Sequence, residues 1–435
     1  MTSIQVGLFC IAAFFLLAIM GVKIGIAMLA AGFTGLVLMN GLKAAVMVVG
    51  TNVFSVVSSY DFAVLPMFIL MAQIITVSGM GTDLYKTASA WLGHLLGGLA
   101  IATIGACAIF AAVTAFPWAA ILSIGAIAIP QMKKYKYSDE LSIGSVAAGS
   151  ELGDLIPPSA MFITYGMVTG TSIGTLLMAG IVPGILLALL YMIVISINCK
   201  IKPSYGPRGP KTTFKEKIHS LKGSVEIIVL VVIVMGGMFA GIFTPTEAGS
   251  VGALGAFILA LLKKRLNLSK LKQVLMTSAD MVGMIYFLIA SANVLKQMIA
   301  VSTLPFWLSD LVLGFNMPPM ILMAIILVIY IILGCFVECM SMVLLTVGIF
   351  LPIVQACGFS SIWFGVIMVR MGDIGGMTPP MGMTAFFLKG LYKEVPLGRI
   401  FKGIAPFLLA DFVHLALLLF FPVIAEWLPR VMGMM

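Results

Sequence analysis

Two segments, ELGDLIPPSAMF at residues 151–162 and DIGGMTPPMGMT at residues 373–384, decide how this chain folds. Each places an acid, a glycine and a Pro-Pro pair inside an otherwise apolar stretch. Two adjacent prolines remove two backbone donors and block the preceding helical turn. Backbone that leaves a helix inside a membrane is tolerated only where it lines a cavity or binds an ion. The two segments therefore predict a pair of broken helices around a binding site.

The composition is that of a membrane protein. The chain has 435 residues, of which 61% are hydrophobic and only 9% are charged, whereas soluble domains carry about 25% charged residues. Apolar runs recur from end to end, which predicts an all-α polytopic membrane protein. The first run, residues 6–20, lacks a basic leader and a cleavage site, so we interpret it as a transmembrane helix and not as a signal peptide.

The reactive and charged residues outside these segments indicate little chemistry. The six cysteines and three histidines are scattered, which predicts small apolar cysteines in helices and no metal-ligand cluster. The net charge of +9 would indicate nucleic-acid binding in a soluble protein, but here it is attributed to basic cytoplasmic loops.

The chain also contains an internal repeat. The shift that brings Pro130 onto Pro352 also aligns the two Pro-Pro pairs and the acid-apolar-Gly triplets that precede them. The aligned residues are Pro157-Pro158 with Pro379-Pro380, and Glu151-Leu152-Gly153 with Asp373-Ile374-Gly375. The combination at one offset indicates two related halves.

We divide the chain accordingly. Residues 1–199 form the first repeat, with a re-entrant hairpin at about 95–130 and a broken helix at about 138–168. A basic linker, 200–222, precedes the second repeat, 223–435, with a hairpin at about 318–353 and a broken helix at about 360–388. Because a hairpin returns to its own side, each half crosses the membrane an odd number of times, and the second half is inverted.

The distribution of basic residues gives an orientation. Threading the chain through this topology places all but four of the 25 Lys and Arg on one face; the four are Lys43, Lys296, Arg370 and Arg430. The positive-inside rule makes that face cytoplasmic and places both termini outside.

Ionisable residues within membrane segments are functional candidates because a charge in the bilayer is costly. Glu151, Asp154 and Asp373 at the breaks would ligate a cation, carry a proton or pair with a base; a helix-cap role stays open. Glu338 and Ser341 offer oxygen ligands at the second hairpin tip.

Two basic residues also lie in apolar segments. Arg370 fits a substrate carboxylate, although a pair with Asp373 at i+3 is an equally simple interpretation. For Lys296, snorkelling is favoured. At the first hairpin tip, TAFPW at 114–118, Pro117 suits a turn and Trp118 is expected to pack.

The chain resembles the large membrane subunit of tripartite ATP-independent periplasmic (TRAP) transporters, the DctM-like family, over essentially its whole length. The motifs that carry the resemblance are GGLAIATIGACAIFAAVTAF (97–116), ELGDLIPPS (151–159), YGMVTGTSIGTLLMAGIVPG (165–184), GIFTPTEAG (241–249) and WFGVIMVRMGDIGGMTPPMGMTAFFLKG (363–390).

The resemblance implies a fold of the ion-transporter-superfamily elevator type and sodium-coupled import of a small organic anion such as a C4-dicarboxylate or sialic acid. It also implies two partners, a small four-helix membrane subunit (DctQ-like) and a periplasmic substrate-binding protein (DctP-like), in the bacterial inner membrane. No small-subunit sequence is fused at the N-terminus, so we expect that subunit as a separate chain.

The same resemblance implies site residues in this sequence. One sodium ion would be bound by the first tip and first break, the other by the second tip and second break, and the substrate would lie between them. The residues are Thr114, Pro117, Gly153, Ile156 and Pro158 for the first ion; Ser341, Gly375, Thr378 and Pro380 for the second; and Ser159, Arg370 and Asp373 for the substrate.

Some residues depart from the family pattern. The family's first tip usually reads Ser-Gly-Ser-Ser, whereas this chain has TAFPW, which removes hydroxyl ligands from the first sodium site. Glu151 and Asp154 stand where the family has apolar or small residues. They would replace the missing ligands or couple transport to protons.

Three other functions remain as alternatives. The first is a related ion- or proton-coupled carboxylate carrier that works without a binding protein. The second, an intramembrane aspartyl protease, rests on Tyr60-Asp61 and two Gly-Asp pairs, but Glu151 and Arg370 stand where such enzymes need glycine. The third, a channel, is disfavoured because hairpins and broken helices suit alternating access.

Overall fold

The fold is described from a computed structural model, which covers residues 2–304, 307, 318–380 and 382–435. All regular secondary structure in this part of the chain is helical. The helices of the first half are α1 (Ser3–Ile19), α2 (Ile24–Asn40), α3 (Leu42–Ser58), α4 (Val64–Val77), α5 (Met80–Leu92), α6 (Gly98–Thr114), α7 (Pro117–Ala120), α8 (Ala126–Lys134), α9 (Asp139–Leu155), α10 (Ala160–Thr169) and α11 (Ile173–Ile201).

The second half continues after a non-helical linker. Its helices are α12 (Phe214–Phe239), α13 (Pro245–Leu262), α14 (Leu268–Val301), α15 (Pro319–Gly334), α16 (Cys339–Ala356), α17 (Ser361–Met377), α18 (Met383–Leu391), α19 (Leu397–Phe420) and α20 (Val423–Val431). Within the described ranges, six helices are long and apolar enough to cross a membrane, and a seventh span results if α4 and α5, bent by 68°, count as one.

The helices begin and end where local chemistry requires it. Ser138 accepts a hydrogen bond from Leu141 N and caps α9, and Thr213 and Thr244 form capping boxes at α12 and α13. The helix α9 ends at Leu155, directly before Ile156 and the Pro157-Pro158 pair, and α17 ends at Met377, before Thr378 and Pro379-Pro380. Both Pro-Pro bonds are cis.

The two halves repeat their helix boundaries at the offset seen in the sequence. Helices α9 and α17 have the same length, 17 residues, and the shift that aligns the Pro-Pro pairs also brings the start of α9, Asp139, onto the start of α17, Ser361. The same shift brings Pro117 onto Cys339, where the second arms of the two hairpin regions start. The first of these arms is less regular, because residues 121–125 form a π-helical turn between α7 and α8.

The two broken helices pack mainly on helices of their own halves, and the two halves meet where α9 contacts α19. Helix α9 packs on α6, α11 and α19, while α17 packs on α15, α16 and α19. Helix α14 packs instead on α2, α4 and α16. Small residues allow the closest approach, since a Cβ on Gly403 of α19 would lie 2.1 Å from the carbonyl oxygen of Glu140.

Candidate functional site

A cavity of about 580 Å³ lies between the two broken helices and the two hairpin tips. We define the first break as residues 156–159, the second break as 378–380, the first tip as 115–116 and the second tip as 335–338. The first tip contributes Phe116, and the residues beside it contribute Pro117 and Trp118 to the lining. The second tip contributes Glu338, and the opposite wall comes from α14 and from the loop that carries Lys23.

The last turn of α9 places two acids in this cavity. Glu151 and Asp154 are three residues apart, so they lie on one face of the helix, and both are 4% exposed. The chain then turns at the first break, where the hydroxyl of Ser159 donates to Asp154 O at 2.6 Å and accepts from Phe162 N at 3.2 Å. Ser159 thereby caps α10 and joins the two parts of the broken helix.

The hairpin tips pack onto the breaks of their own halves. Ala160 N donates to Ala115 O at 3.3 Å, which ties the first tip to the start of α10. Ala115 itself has a φ of +57°, the left-handed conformation that ends α6. At the second tip the backbones of Gly334 and Gly375 touch, since a Cβ on Gly375 would lie 2.5 Å from Gly334 Cα. Each tip and break thus form one packed unit.

Arg370 lies beside the cavity in a buried ion-pair network. Its Nη1 donates to Asp373 Oδ2 at 2.7 Å and its Nη2 to Asp411 Oδ1 at 2.6 Å, and all three side chains are fully buried. Tyr191 donates its hydroxyl proton to the same Asp411 oxygen at 2.5 Å. The guanidinium therefore connects α17 to α19 and, through Tyr191, to α11.

Two of the other lining acids, Glu151 and Glu338, have polar but uncharged partners. Thr384 of α18 donates to Glu151 Oε1 at 2.8 Å, a contact between the two halves of the chain. Glu338 accepts from Ser341 N at 3.1 Å and from Ser341 Oγ at 3.3 Å, so it caps α16. No ion pair within the described ranges includes Glu151, Asp154 or Glu338.

The predicted sodium ligands divide into two groups. Pro117 and Ser341 line the cavity, and so do the three predicted coupling acids, Glu151, Asp154 and Glu338. The remaining predicted residues lie outside this lining, in the tips and breaks or next to them; they are Thr114, Gly153, Ile156, Pro158, Gly375, Thr378 and Pro380. Thr114 and Thr378 donate their hydroxyl protons to Phe110 O and Ile374 O. This leaves their oxygen lone pairs available to a cation.

The predicted substrate residues are also separated by the structure. Asp373 lines the cavity, but Ser159 and Arg370 are fully buried outside its lining. The i+3 pair between Arg370 and Asp373, which the sequence left open, is present. Nη1 and Nη2 of Arg370 are held by two carboxylates, and its Nε has no hydrogen-bond partner among the described residues.

Several members of the site were not predicted from the sequence. Asp411 was not singled out, although an acid within the apolar run LLADFVHLALLLF is an available signal. Thr384 and Tyr191 carry no such signal because their roles depend on tertiary contacts. The ammonium of Lys296, for which snorkelling is the prediction, donates from Nζ to Val168 O in the last turn of α10 at 2.5 Å.

One cysteine lies in a possible metal-ligand cluster. Cys339, Asp154 and Asp373 offer three potential metal-ligand atoms that all lie within 4.8 Å of one another. The residues come from α16, α9 and α17, so sequence spacing gave no indication of the cluster. Trp118 packs edge-on against Phe387, with ring centroids 4.6 Å apart. Trp118 also lines the cavity.

Apolar helices that enclose an acid-lined cavity between two helix breaks define a multi-pass membrane transport protein. The fold is similar to that in the "Crystal structure of the Alcanivorax borkumensis YdaH transporter reveals an unusual topology", with a TM-score of 0.59 and 13% identity over 88% of this chain and 89% of that one. The family model described as "Tripartite ATP-independent periplasmic transporter, DctM component" matches residues 11–424. The chain belongs to this family, as its motifs predicted.

Relatives in the family are named for different substrates. The chain is 33% identical over 384 residues to the C4-dicarboxylate TRAP transporter large permease protein DctM of Pseudomonas aeruginosa, covering 88% of this chain and 89% of the relative. It is 29% identical to the sialic acid permease SiaM of Vibrio cholerae, covering 94% and 95%. It is 31% identical to the ectoine permease TeaC of Halomonas elongata, covering 83% and 84%.

Family membership decides among the broader alternatives. The chain is a large permease subunit of a TRAP transporter and not an enzyme, so the aspartyl protease interpretation is wrong. It is a multi-pass protein of a bacterial permease family. The side chain of Asp61, on which part of the protease interpretation rested, lies outside the described residues.

Proposed function

We propose that this permease subunit imports a small organic anion together with sodium ions, receives its substrate from a periplasmic binding protein, and works by an elevator mechanism. The names of the C4-dicarboxylate and sialic acid relatives support an acidic substrate. The ectoine relative indicates that the family is not restricted to one class of cargo.

The charge balance of the cavity is the observation that carries the proposal. Four acids, Glu151, Asp154, Glu338 and Asp373, line the cavity, and the described lining has one basic residue, the exposed Lys23. The guanidinium of Arg370 is fully buried and held by two carboxylates. Burying a charge without a compensating partner costs several kcal/mol in a protein. An anion therefore enters this cavity only with cations that neutralise the acids. That requirement makes anion binding depend on cation binding, which is the thermodynamic basis of symport.

The repeated helix boundaries support the mechanism. Two halves with helix boundaries at one constant offset, each with a hairpin region and a broken helix, match the inverted-repeat design of secondary transporters. In our proposal the hairpins and the broken helices α9–α10 and α17–α18 move as one body. Helices α2, α4 and α12–α14 belong to the scaffold.

The position of the cavity supports a cytoplasmic opening. Lys23, which is exposed in the loop between α1 and α2, borders the cavity. In the proposed orientation this loop and the basic segments at 133–140, 200–222, 263–272 and 389–402 face the cytoplasm. Both termini are then periplasmic, and the bacterial inner membrane is the location.

The partners follow from the family. A DctQ-like four-helix membrane subunit completes the permease, and a DctP-like binding protein docks on the periplasmic side. We also expect that the permease without its binding protein shows little uptake, which separates this proposal from a carrier that works alone.

Uptake in proteoliposomes tests the coupling ion. Permease, small subunit and loaded binding protein are combined, and either a sodium gradient or a pH gradient is imposed. We expect accumulation with the sodium gradient at constant pH. Accumulation driven by the pH gradient alone would favour the proton-coupled alternative, in which Asp154 or Glu151 carries the proton.

A cross-link tests the elevator movement. A Cβ on Gly348 of α16 would lie 3.9 Å from the Cβ of Lys296 on α14, a separation that suits a disulfide. The double variant Gly348→Cys/Lys296→Cys is expected to lose uptake on oxidation and to regain it on reduction. The two single variants are the controls. Full uptake by completely cross-linked protein would contradict a movement of α16 past α14.

A further inference from the structure

We infer that Asp154, Cys339 and Asp373 form a binding site for one divalent transition-metal ion of the zinc class, at the wall of the cavity. The three residues come from the first broken helix, the start of α16 and the second broken helix. The inference concerns binding to the permease alone and does not depend on sodium-driven uptake. It gives Cys339 a role and adds a metal ion to those given to Asp154 and Asp373.

The geometry is close to that of a metal shell. The three donor atoms lie within 4.8 Å of one another. For three atoms at these separations, a central point exists that is no more than about 2.8 Å from each of them. Zinc bonds to oxygen and sulfur are shorter, about 2.0–2.3 Å. Side-chain shifts of less than about 1 Å therefore complete the coordination.

An unpartnered buried atom points to a ligand. Asp373 is 1% exposed, and its Oδ2 accepts from Arg370. Among the described residues its Oδ1 meets no donor other than the nearby carboxyl group of Asp154. Buried carboxylate oxygens are rarely left unsatisfied because desolvation is costly. Asp154, 4% exposed, approaches the same point without any basic partner in the described ranges. A dication between the two carboxylates satisfies both.

The thiol is held in place by the opposite helix. Cys339 Sγ packs so closely on Gly372 of α17 that a Cβ at that position would overlap the sulfur. Its contact with Val369 O is long, at 3.9 Å, so the thiol has no strong hydrogen bond that competes with a metal. Metal binding releases the thiol proton to the aqueous cavity and leaves a thiolate ligand.

The donor set selects the ion. Sodium and magnesium prefer oxygen ligands, whereas a thiolate with two carboxylates favours zinc and similar ions. All three ligands line the cavity, so a fourth coordination position opens towards it. A water molecule or a carboxylate oxygen of a solute occupies that position, as in open zinc sites.

Metal binding to the purified, tag-free permease tests the site. After treatment with a chelator, the protein is titrated with Zn²⁺ by calorimetry, and bound metal is counted by elemental analysis. We expect one zinc per chain, with an affinity reduced at least about tenfold in Cys339→Ser and in Asp154→Asn. Mg²⁺ at the same concentration is expected not to compete.

A control variant and a spectroscopic measurement test whether zinc binds through Cys339. Cys357→Ser, at the far end of α16, is expected to bind zinc like the unmodified protein. The Co²⁺ form should show sulfur-to-metal charge-transfer absorption that Cys339→Ser abolishes. Absence of stoichiometric zinc binding, or zinc binding unchanged in Cys339→Ser, overturns the inference. Either result leaves the uptake experiments, and thus the proposed function, unaffected.

Discussion

The two breaks have the same backbone plan but differ in how their acidic side chains are neutralised. At the second break, Asp373 is paired with Arg370, which also holds Asp411. At the first break, Glu151 has only the hydroxyl of Thr384 as a partner, and no ion pair in the described ranges includes Asp154. The position equivalent to Arg370 in the first repeat is Ala148. The repeat therefore sets the backbone geometry of both breaks, and residue differences between the halves set the charges beside them.

The tips differ in the same way. Aromatic residues, Phe116 and Trp118, lie at and beside the first tip, whereas the second tip ends in Glu338, which caps α16 through Ser341. Carboxylates on the first break thus face an apolar tip of their own half, and their polar contacts come from the second half. One consequence is that the first break depends on the second half for its electrostatics.

The largest effect is expected from removing the charge that distinguishes the second break. Arg370→Met leaves Asp373 and Asp411 buried without their shared cation, and breaking a buried pair typically costs about 3–5 kcal/mol. We expect a strongly lowered thermal unfolding midpoint in detergent, whether or not a substrate is present. Adding Asp411→Asn to Arg370→Met is expected to recover part of the loss. A midpoint equal to that of the unmodified protein would show that the network does not hold the second break.

The second-largest loss of stability is expected at one of two equivalent glycines. Gly153 and Gly375 occupy the same position in the two repeats, but a Cβ on Gly375 would lie 2.5 Å from Gly334 Cα, whereas one on Gly153 would lie 3.2 Å from its nearest atom, Phe116 C. Gly375→Ala is expected to cost about 1–3 kcal/mol through overpacking of backbone on backbone. Gly153→Ala should cost clearly less. Equal losses in thermal midpoint would mean that the two tips pack equally tightly on their breaks.

A smaller effect on stability, but a clear one on transport, is expected at the first break. In Glu151→Gln the amide oxygen still accepts from Thr384, while a charge without a basic partner is removed. We expect an unchanged or raised thermal midpoint and a weaker dependence of uptake on cation concentration. Thr384→Val is the control, since it removes the hydrogen bond but keeps the carboxylate. Unchanged cation dependence in Glu151→Gln would exclude that carboxylate from coupling.

The sequence predicted the breaks but not the partners of their side chains. Pro-Pro pairs and the flanking glycines act locally, so the ends of α9 and α17 followed from the chain itself. The pairing of Arg370 with Asp373 was accessible because both lie on one helix three residues apart. Asp411, Tyr191 and Cys339 come from other elements, and only tertiary packing brings them to the site.

The smallest effect is expected at an exposed link between the halves. Lys133 Nζ lies 3.0 Å from Glu394 Oε1, with the two side chains 38% and 61% exposed. The equivalent positions, Gln355 and Ser172, carry no charge, so the repeat does not require this pair. The glutamate's own backbone N–H and the Lys133 ammonium lower the pKa of Glu394.

A lowered pKa in the folded state stabilises the fold above the ordinary carboxyl pKa, and the contribution is lost as pH falls through the lowered value. We expect Glu394→Gln to lower the thermal midpoint barely at pH 7 and low salt, and not at all in high salt, because exposed pairs are screened. A large, salt-independent loss at pH 7 would mean that this surface pair holds the halves together, and would weaken the view that buried contacts between the two breaks do so.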